Sequence, residues 1–513
     1  LFDMAAGVID IGSNSIKLLI GEPSDGDIMI LEALKNVVPI GRSTFLKGQI
    51  SQEPINLTIS ILEKYKKILK DYNITQLFVI ATTAVREAAN RHIFVDTVRR
   101  KTGLEIEVLN VGDIVYYIDA YISHKLKDTY PVHNKNLLIA EMGAGSLDIS
   151  LLKKGFTLTN MGLALGALRF RQILSRIDGS REEMAEALQE YIANEFSYFR
   201  GRLPRLHVDD IFLIDENQEY LKAILPNKKV STNFFQFSVS DVERIIGELA
   251  TKGPEEIAQD YDLPLENADT LLPYMIILKM FFTLTQNPHV YILETSLAEA
   301  VLANKVLGLE LSRRYNKSNQ LISVAHAICE QYNVNIEHAK HVAHMSHLLF
   351  EGLAGQLGLE ESELLYLSLA AYLHDIGKFI SNRSHHKHSE YIINSLNLFR
   401  LTDEEIKIIA CAARYHRRGD PSKSHLVYNS LSGEKQIVVQ KLASLLRISN
   451  ALDHAHLQKV KALNVLNSGT SEITLEVSTR DNFLLEKTDF NEKKELFEKI
   501  TGSRLKLTIN GNF

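Results

Sequence analysis

Two stretches of the chain carry one pattern of apolar and polar positions. In "VIDIGSNSIKLLIGE" (8–22) and "IAEMGAGSLDISLLKKG" (139–155), an apolar run ends in an acid, one further residue, a glycine, two small residues and a serine before a second apolar run. An offset of 131 residues superposes Asp10 on Glu141, Gly12 on Gly143 and Ser15 on Ser146. Apolar runs flanking a glycine turn predict a β-hairpin in each copy, and the repeat predicts two related lobes facing each other across a cleft.

Between the copies, 54–72 has helical periodicity, "QLFVIAT" (76–82) reads as a strand, a helix begins near Ala84, and "LEIEVL" (104–109) reads as another strand. Strands and helices in alternation predict an α/β lobe. The second half-repeat runs through "LGALRF" to about residue 305. Beyond it the pattern becomes helical, and 13 of the 18 histidines fall between His326 and His456. From about 457, "SEITLEVSTRDNFLLEKTDF" returns to alternation. The expected organisation is therefore an α/β lobe over 1–130, a second over 131–305, a helical domain over 306–456 and a small α+β domain over 457–513.

Length and composition narrow this reading. A chain of 513 residues with 45% hydrophobic residues is too long for one core. Its net charge of −6 gives no global attraction to nucleic acid or acidic membranes, so a polyanion would need a local basic groove. Two cysteines, Cys329 and Cys411, are too few for a disulfide framework and point to a reducing compartment, with the cytoplasm expected. The most apolar run (271–284) is too short to span a bilayer and contains Lys279, so it is expected as a core helix. No signal peptide is expected at the start of the chain.

The paired turns suit Mg²⁺ and phosphate. Carboxylate oxygens are hard ligands for the ion, and turn amides can hold phosphoryl oxygens. The segments "VIDIGSNSIKLLI", "ATTAVREAANR", "LGALRF" and "NVVPIGRSTFLKGQIS" together resemble the exopolyphosphatase / guanosine pentaphosphate phosphohydrolase (Ppx/GppA) family, over essentially the whole chain. The resemblance implies an actin-like, ribonuclease-H-type two-lobed core followed by an HD-type helical domain and a small α+β domain. It further implies Mg²⁺ in the interlobe cleft, a homodimer, and removal of terminal phosphate from inorganic polyphosphate or guanosine pentaphosphate.

Matched by position, Asp10, Gly12, Ser13 and Asn14 occupy the family's first phosphate loop, and Arg86 its "A-V-R" signature. The second loop departs from "D-I-G-G-G-S-T-E": this chain reads "EMGAGSLD", with Glu141 and Asp148 exchanging the lengths of the two acids and Ala144 replacing a glycine. On this reading Asp10, Glu141 and Asp148 hold Mg²⁺, directly or through water. Gly12, Ser13, Asn14, Gly143, Ala144, Gly145 and Ser146 cradle phosphate, and Arg86 offsets negative charge. The family's general-base Glu falls on Ile114 in "NVGDIVYY", which leaves neighbouring Asp113 as the candidate base; the same Asp113 also reads as an acid capping the helix that follows.

In the helical region, "EHAKHV" and "AAYLHDIGKFI" resemble the HD superfamily, with His338, His374 and Asp375 as ligands of a second divalent metal. His388 and His416 match its additional histidines. Asn450 replaces the expected last Asp, with Asp453 nearby as a substitute. His341, His344 and His347 read as surface residues, and His385 and His386 as loop residues. Arg169, Arg171 and Arg176, with Arg414, Arg417, Arg418 and Lys423, are candidates for lining a polyphosphate path or else a solvated surface.

Absence of Trp and of aromatic interleaving argues against DNA or RNA as partner. Rival readings are a catalytically impaired member that binds polyphosphate or guanosine tetra- or pentaphosphate as a sensor, an actin-like kinase, and hydrolysis by the HD-type domain itself.

Overall fold

The computed structural model describes residues 5–174, 179–203, 206–215, 221, 224–225, 228–230, 234–287, 289–309, 316–396, 398–417, 419–467 and 471–510. The chain forms two compact units, Leu1–Asn316 and Lys317–Phe513.

Unit 1 is built on two mixed sheets. The first contains β1 (Ala6–Ile11), β2 (Ser15–Ser24), β3 (Asp27–Val37), β4 (Gln76–Ala81) and β5 (Glu107–Val108), in the order β3-β2-β1-β4-β5. The second contains β6 (Asn136–Met142), β7 (Leu147–Lys153), β8 (Phe156–Leu163), β9 (Asp210–Asp215), β10 (Lys228–Lys229), β11 (Phe234–Ser238) and β12 (His289–Leu293), in the order β10-β11-β12-β9-β6-β7-β8. The run β8-β7-β6-β9-β12 repeats β3-β2-β1-β4-β5 strand for strand. β1 and β6 each pair antiparallel with the next strand and parallel with β4 or β9. The duplication seen in two hairpins thus extends to five strands, and it fits the actin-like core expected.

Parallel pairing of β1 with β4 requires a crossover, made by α1 (Ile40–Lys47) and α2 (Gln52–Asp71). The apolar stripe of α2, with Ile61, Leu62, Tyr65 and Leu69, buries against the sheet beside Ile9, Ile16 and Leu18. Every residue of β1 is buried, as expected for a central strand reading as an apolar run. A larger cluster forms the core of the second lobe and takes in Met275, Ile276, Ile277, Leu278 and Phe281 from the helix Leu265–Phe281. The apolar run 271–284 is accordingly a core element. Among the described residues, no helix is long and apolar enough to cross a membrane.

Two local expectations differ. The helix expected from Ala84 is split into α3 (Thr83–Arg86) and α4 (Arg91–Thr102), because the Asn90 side chain accepts from Ile50 N and donates to Ile50 O, both at 2.9 Å, while Ala89 N donates to Gly48 O. The expected strand 104–109 pairs only over Glu107–Val108 before α5 (Val111–Lys125) starts.

In unit 2 the helices Lys317–Gln331, Ile336–Leu357, Glu363–Leu373, Asp403–Arg414 and Gly433–Ala451 pack against one another. A three-stranded sheet of β13 (Ala462–Asn467), β14 (Glu472–Ser478) and β15 (Arg504–Asn510) completes it. The segments expected as separate domains over 306–456 and 457–513 share one compact unit, whose start lies at Lys317. Close packing explains the union: a Cβ on Gly352 would lie 2.6 Å from Val465 Cγ2, so the helix fits under β13 only as glycine.

Candidate active site

The two hairpin turns close with the same hydrogen bond. Gly12 N donates to Ser15 O and Gly143 N to Ser146 O, each at 2.9 Å. The next carbonyls are tied back to the following helices or their approaches: Ser13 O accepts from Gly41 N at 2.7 Å, Ala144 O from Leu168 N at 2.9 Å, and Gly145 O from Arg169 Nε at 2.6 Å. In a trans peptide N–H and C=O point opposite ways, so this turns the Asn14, Gly145 and Ser146 N–H groups away from those helices. A set of oriented turn amides is a site for anionic oxygen.

The turns also touch. A Cβ on Gly145 would lie 2.6 Å from both Phe45 Cζ and Ser13 Oγ, and one on Gly166 only 2.3 Å from Gly145 C. Across the lobes, Thr83 Oγ1 and Ser146 Oγ share a 2.7 Å hydrogen bond. Arg169 clasps the lobes from the side, pairing with Glu87 at 2.6 Å and lying 4.1 Å from the centre of the Phe45 ring.

A cleft of about 520 Å³, including its open mouth, runs between these turns. Asp10, Glu141 and Asp148 line it, with Gly12, Ser13, Gly143, Ala144, Gly145 and Ser146. So do Lys17, Thr82, Thr83, Ile114 and Ser296, of which only Ile114 stood out in the sequence. The signal for Lys17 was the repeat itself. In register, Asp10 faces Lys17 across β1 and β2 as Glu141 faces Asp148 across β6 and β7, so Lys17 and Asp148 are equivalent positions carrying opposite charges.

Asp148 is buried, and its Oδ1 has no hydrogen-bond partner while Ser146 Oγ lies 3.4 Å from Oδ2. Burial pushes its carboxyl up to about 6, against the pull of Arg86. Three lining carboxylates, with Asp148 Oδ1 orphaned, fit Mg²⁺ as a donor set. Among the described residues, however, the cleft acids do not form a trio of ligand atoms within 4.8 Å of one another. A cleft ion would hence be held by one or two carboxylates together with water and substrate oxygens, the usual habit of Mg²⁺.

Several residues expected at the cleft lie outside its lining. Asp113 is no part of the cleft lining: Asn110 N donates to its Oδ2 at 3.1 Å and Asp113 N to Asn110 Oδ1 at 2.9 Å, a reciprocal cap on α5, and the side chain that faces the cleft is Ile114. Arg86 also stands behind the lining. Its guanidinium donates to Leu109 O and Thr83 Oγ1, so it acts through Thr83 and through its field at Asp148. Asn14 is outside the lining, with its carbonyl held by Val38 N.

The basic residues are largely spoken for. Arg169 is the clasp, Arg171 pairs with Asp269 at 2.9 Å, and Arg414 pairs with Glu390. Arg176 and Arg418 lie outside the described residues.

Unit 2 gathers a second constellation. The resemblance places His338, His374 and Asp375 together; the ligand atoms that lie within 4.8 Å of one another are those of His338, Asp375 and His456, and of Asp375, His385 and His416, while His374, whose Nε2 is 3.6 Å from Asp375 Oδ2, and His388 are in neither group. His385 was missed as a loop residue. A left-handed turn at Ser384 (φ 56°) starts its helix, His385–Asn394, and buries the ring. Asp453 supports a ligand position, with its Oδ2 2.8 Å from His338 Nδ1, and Asn450 lines the cavity outside. Burial lowers His374 to about 4 and His416 well below the ordinary value. Burial alone would raise Asp375, but His374, His416 and Lys378 hold its carboxyl far below the usual range.

A duplicated lobe with paired phosphate-type turns defines a class, the two-lobed phosphate-handling proteins, and sequence comparison narrows it. The profile of the Ppx/GppA phosphatase family matches residues 19–308, and that of Ppx/GppA phosphatase domain III matches 322–498. The chain belongs to the Ppx/GppA phosphatase family. A guanosine-5'-triphosphate,3'-diphosphate pyrophosphatase of Aliivibrio fischeri is 21% identical over 455 residues, covering 85% of this chain and 86% of the relative. Exopolyphosphatase 1 of Mycobacterium bovis is 27% identical over 149 residues, 29% of this chain and 42% of the relative.

Among solved structures, the Ppx/GppA family member of Aquifex aeolicus has a TM-score of 0.51 at 20% identity, covering 60% of this chain and 99% of its own. An exopolyphosphatase from Cytophaga hutchinsonii has a TM-score of 0.52 at 18% identity, covering 60% and 98%. These likenesses establish the fold of the part of the chain they cover.

Proposed function

We propose that the cleft of unit 1 hydrolyses terminal phosphoanhydride bonds, of inorganic polyphosphate or of the 5'-triphosphate end of guanosine pentaphosphate. The observation that carries this reading is the pair of identically closed turns meeting at Ser13 and Gly145, with carboxylates and Lys17 lining the same cleft. The names of the relatives point to the same two substrates.

The terminal phosphate lies between the turns, where the Gly145 and Ser146 amides and the Ser13 hydroxyl receive its oxygens and Lys17 offsets its charge. Asp10 and Glu141 would hold Mg²⁺ together with water, and the ion would supply neutralisation of the charge developing on the transferred group. Water attacks phosphorus opposite the bridging oxygen; the new O–P bond forms as the anhydride P–O bond breaks and the shortened chain leaves with the electron pair. Asp148 accepts the water's proton, because its Oδ1 is orphaned at the cleft and burial raises its carboxyl to about 6, while Asp113 is engaged in the helix cap. Thr83, held by Arg86, orients Ser146.

A second reading has its own observation. Ile114 presents an apolar side chain to the cleft where the resemblance places the general base, which favours a member that binds a phosphate chain and cuts it slowly.

Phosphate release with Mg²⁺ from both substrates, beside a binding assay, separates the two. The hydrolase reading expects turnover that falls about 10²- to 10⁴-fold in Asp148→Asn, with binding retained. Binding without turnover in the natural protein, and turnover gained in Ile114→Glu, is the result that overturns it in favour of a receptor.

A further inference from the structure

Behind the phosphate turns, four side chains form a hydrogen-bonded chain from one lobe to the other. The Arg86 guanidinium is anchored by Nη1 on Leu109 O at 2.9 Å and gives Nη2 to Thr83 Oγ1 at 3.1 Å. Thr83 Oγ1 lies 2.7 Å from Ser146 Oγ, which in turn lies 3.4 Å from Asp148 Oδ2. A guanidinium only donates and an ionised carboxylate only accepts. With the cation at one end and the carboxylate at the other, both hydroxyl protons are drawn the same way: Arg86 gives to Thr83, Thr83 to Ser146 and Ser146 to Asp148. Thr83, Ser146 and Asp148 are all buried, so bulk water competes little for these bonds.

Arg86 and Thr83 follow β4 in the first lobe, whereas Ser146 and Asp148 belong to the β6–β7 hairpin of the second. The orientation of Asp148 is thus set from the opposite lobe at Oδ2, while Oδ1, which has no hydrogen-bond partner, is left for the cleft. The duplication shows that the fold alone does not demand this chain. The first-lobe equivalents of Ser146 and Asp148 are Ser15 and Lys17, and an ammonium group cannot accept a serine proton.

We propose that Thr83 is a positioning residue for the general base: it fixes the Ser146 hydroxyl on Asp148 Oδ2, so that Oδ1 meets the attacking water, and the base is aligned only while the two lobes are together. The inference rests on the reading of Asp148 as the base and adds the residue that aims it. The proton passes from water to Asp148 Oδ1 as the water oxygen bonds to phosphorus; Thr83 and Ser146 hold their own protons throughout.

Phosphate release with Mg²⁺ by the full-length chain, from polyphosphate and from guanosine pentaphosphate, gives the test. Thr83→Val keeps the branched shape of the side chain and removes the hydroxyl. Its kcat is expected to fall about 10-fold, the rate equivalent of one hydrogen bond, with KM unchanged, and Thr83→Ser is expected to restore most of the loss. Ser146→Ala, which breaks the chain one link further on, lowers kcat alike and decides the matter if Thr83→Val does not fold. In an Asp148→Asn background, Thr83→Val costs nothing further, because the group it aims is gone. An equal loss in both backgrounds, a raised KM with kcat kept, or an unchanged kcat overturns the proposal while Asp148 stays the base. A natural chain without turnover, or turnover untouched in Asp148→Asn, overturns the base and the proposal with it.

Discussion

At the scale of single residues, the contrast between Asp113 and Asp148 carries the account. Both are buried acids, but Asp113 gives its Oδ2 to a helix cap while Asp148 keeps Oδ1 orphaned at the cleft. Asp113→Ala is expected to cost about 0.5–2 kcal/mol, the usual range for a lost cap, seen as a lower melting temperature with turnover per folded molecule unchanged. A large loss of turnover with stability intact would move the base back to Asp113. Asp10 and Glu141 were legible in the sequence because a repeat exposes equivalent positions. Lys17 was not, since its equivalent is an acid, and His385 was hidden because its burial depends on a turn whose left-handed residue, Ser384, carries no glycine signature.

At the scale of elements, α5 is bound to the second sheet by a buried carboxylate. Asp119 accepts from Ser150 Oγ at 2.7 Å and Thr157 Oγ1 at 3.1 Å, reaching β7 and β8, and burial pushes its carboxyl up to about 7. A folded-state value above the unfolded one means that the native state holds the proton more tightly. The stabilisation is complete below the unfolded value near 4 and is lost as pH rises through about 7. Asp119→Asn has no such proton. The unfolding free energy of the variant minus that of the natural chain should therefore rise between pH 4 and 7.5 and then level, spanning on the order of 2–4 kcal/mol; a flat difference would contradict the assignment. The hairpins were legible because alternation and glycine turns are local signals. The break between α3 and α4 was not, because it is made by Asn90 bonding to Ile50, forty residues away in the chain.

At the scale of the whole molecule, duplication explains why the cleft was legible before its contents were. One offset located both turns, and the strand order shows the same duplication through five strands of each lobe. The way the C-terminal sheet joins the helices into one unit was not legible, since it rests on packing such as that of Val465 on Gly352. The central claim is that the two turns hold a terminal phosphate between them, and a crystal structure of Asp148→Asn with Mg²⁺ and a short polyphosphate tests it most directly. Phosphate density between Gly12–Asn14 and Gly143–Ser146, beside Lys17, is the predicted result; density for the chain elsewhere, with the turns bare, would contradict it.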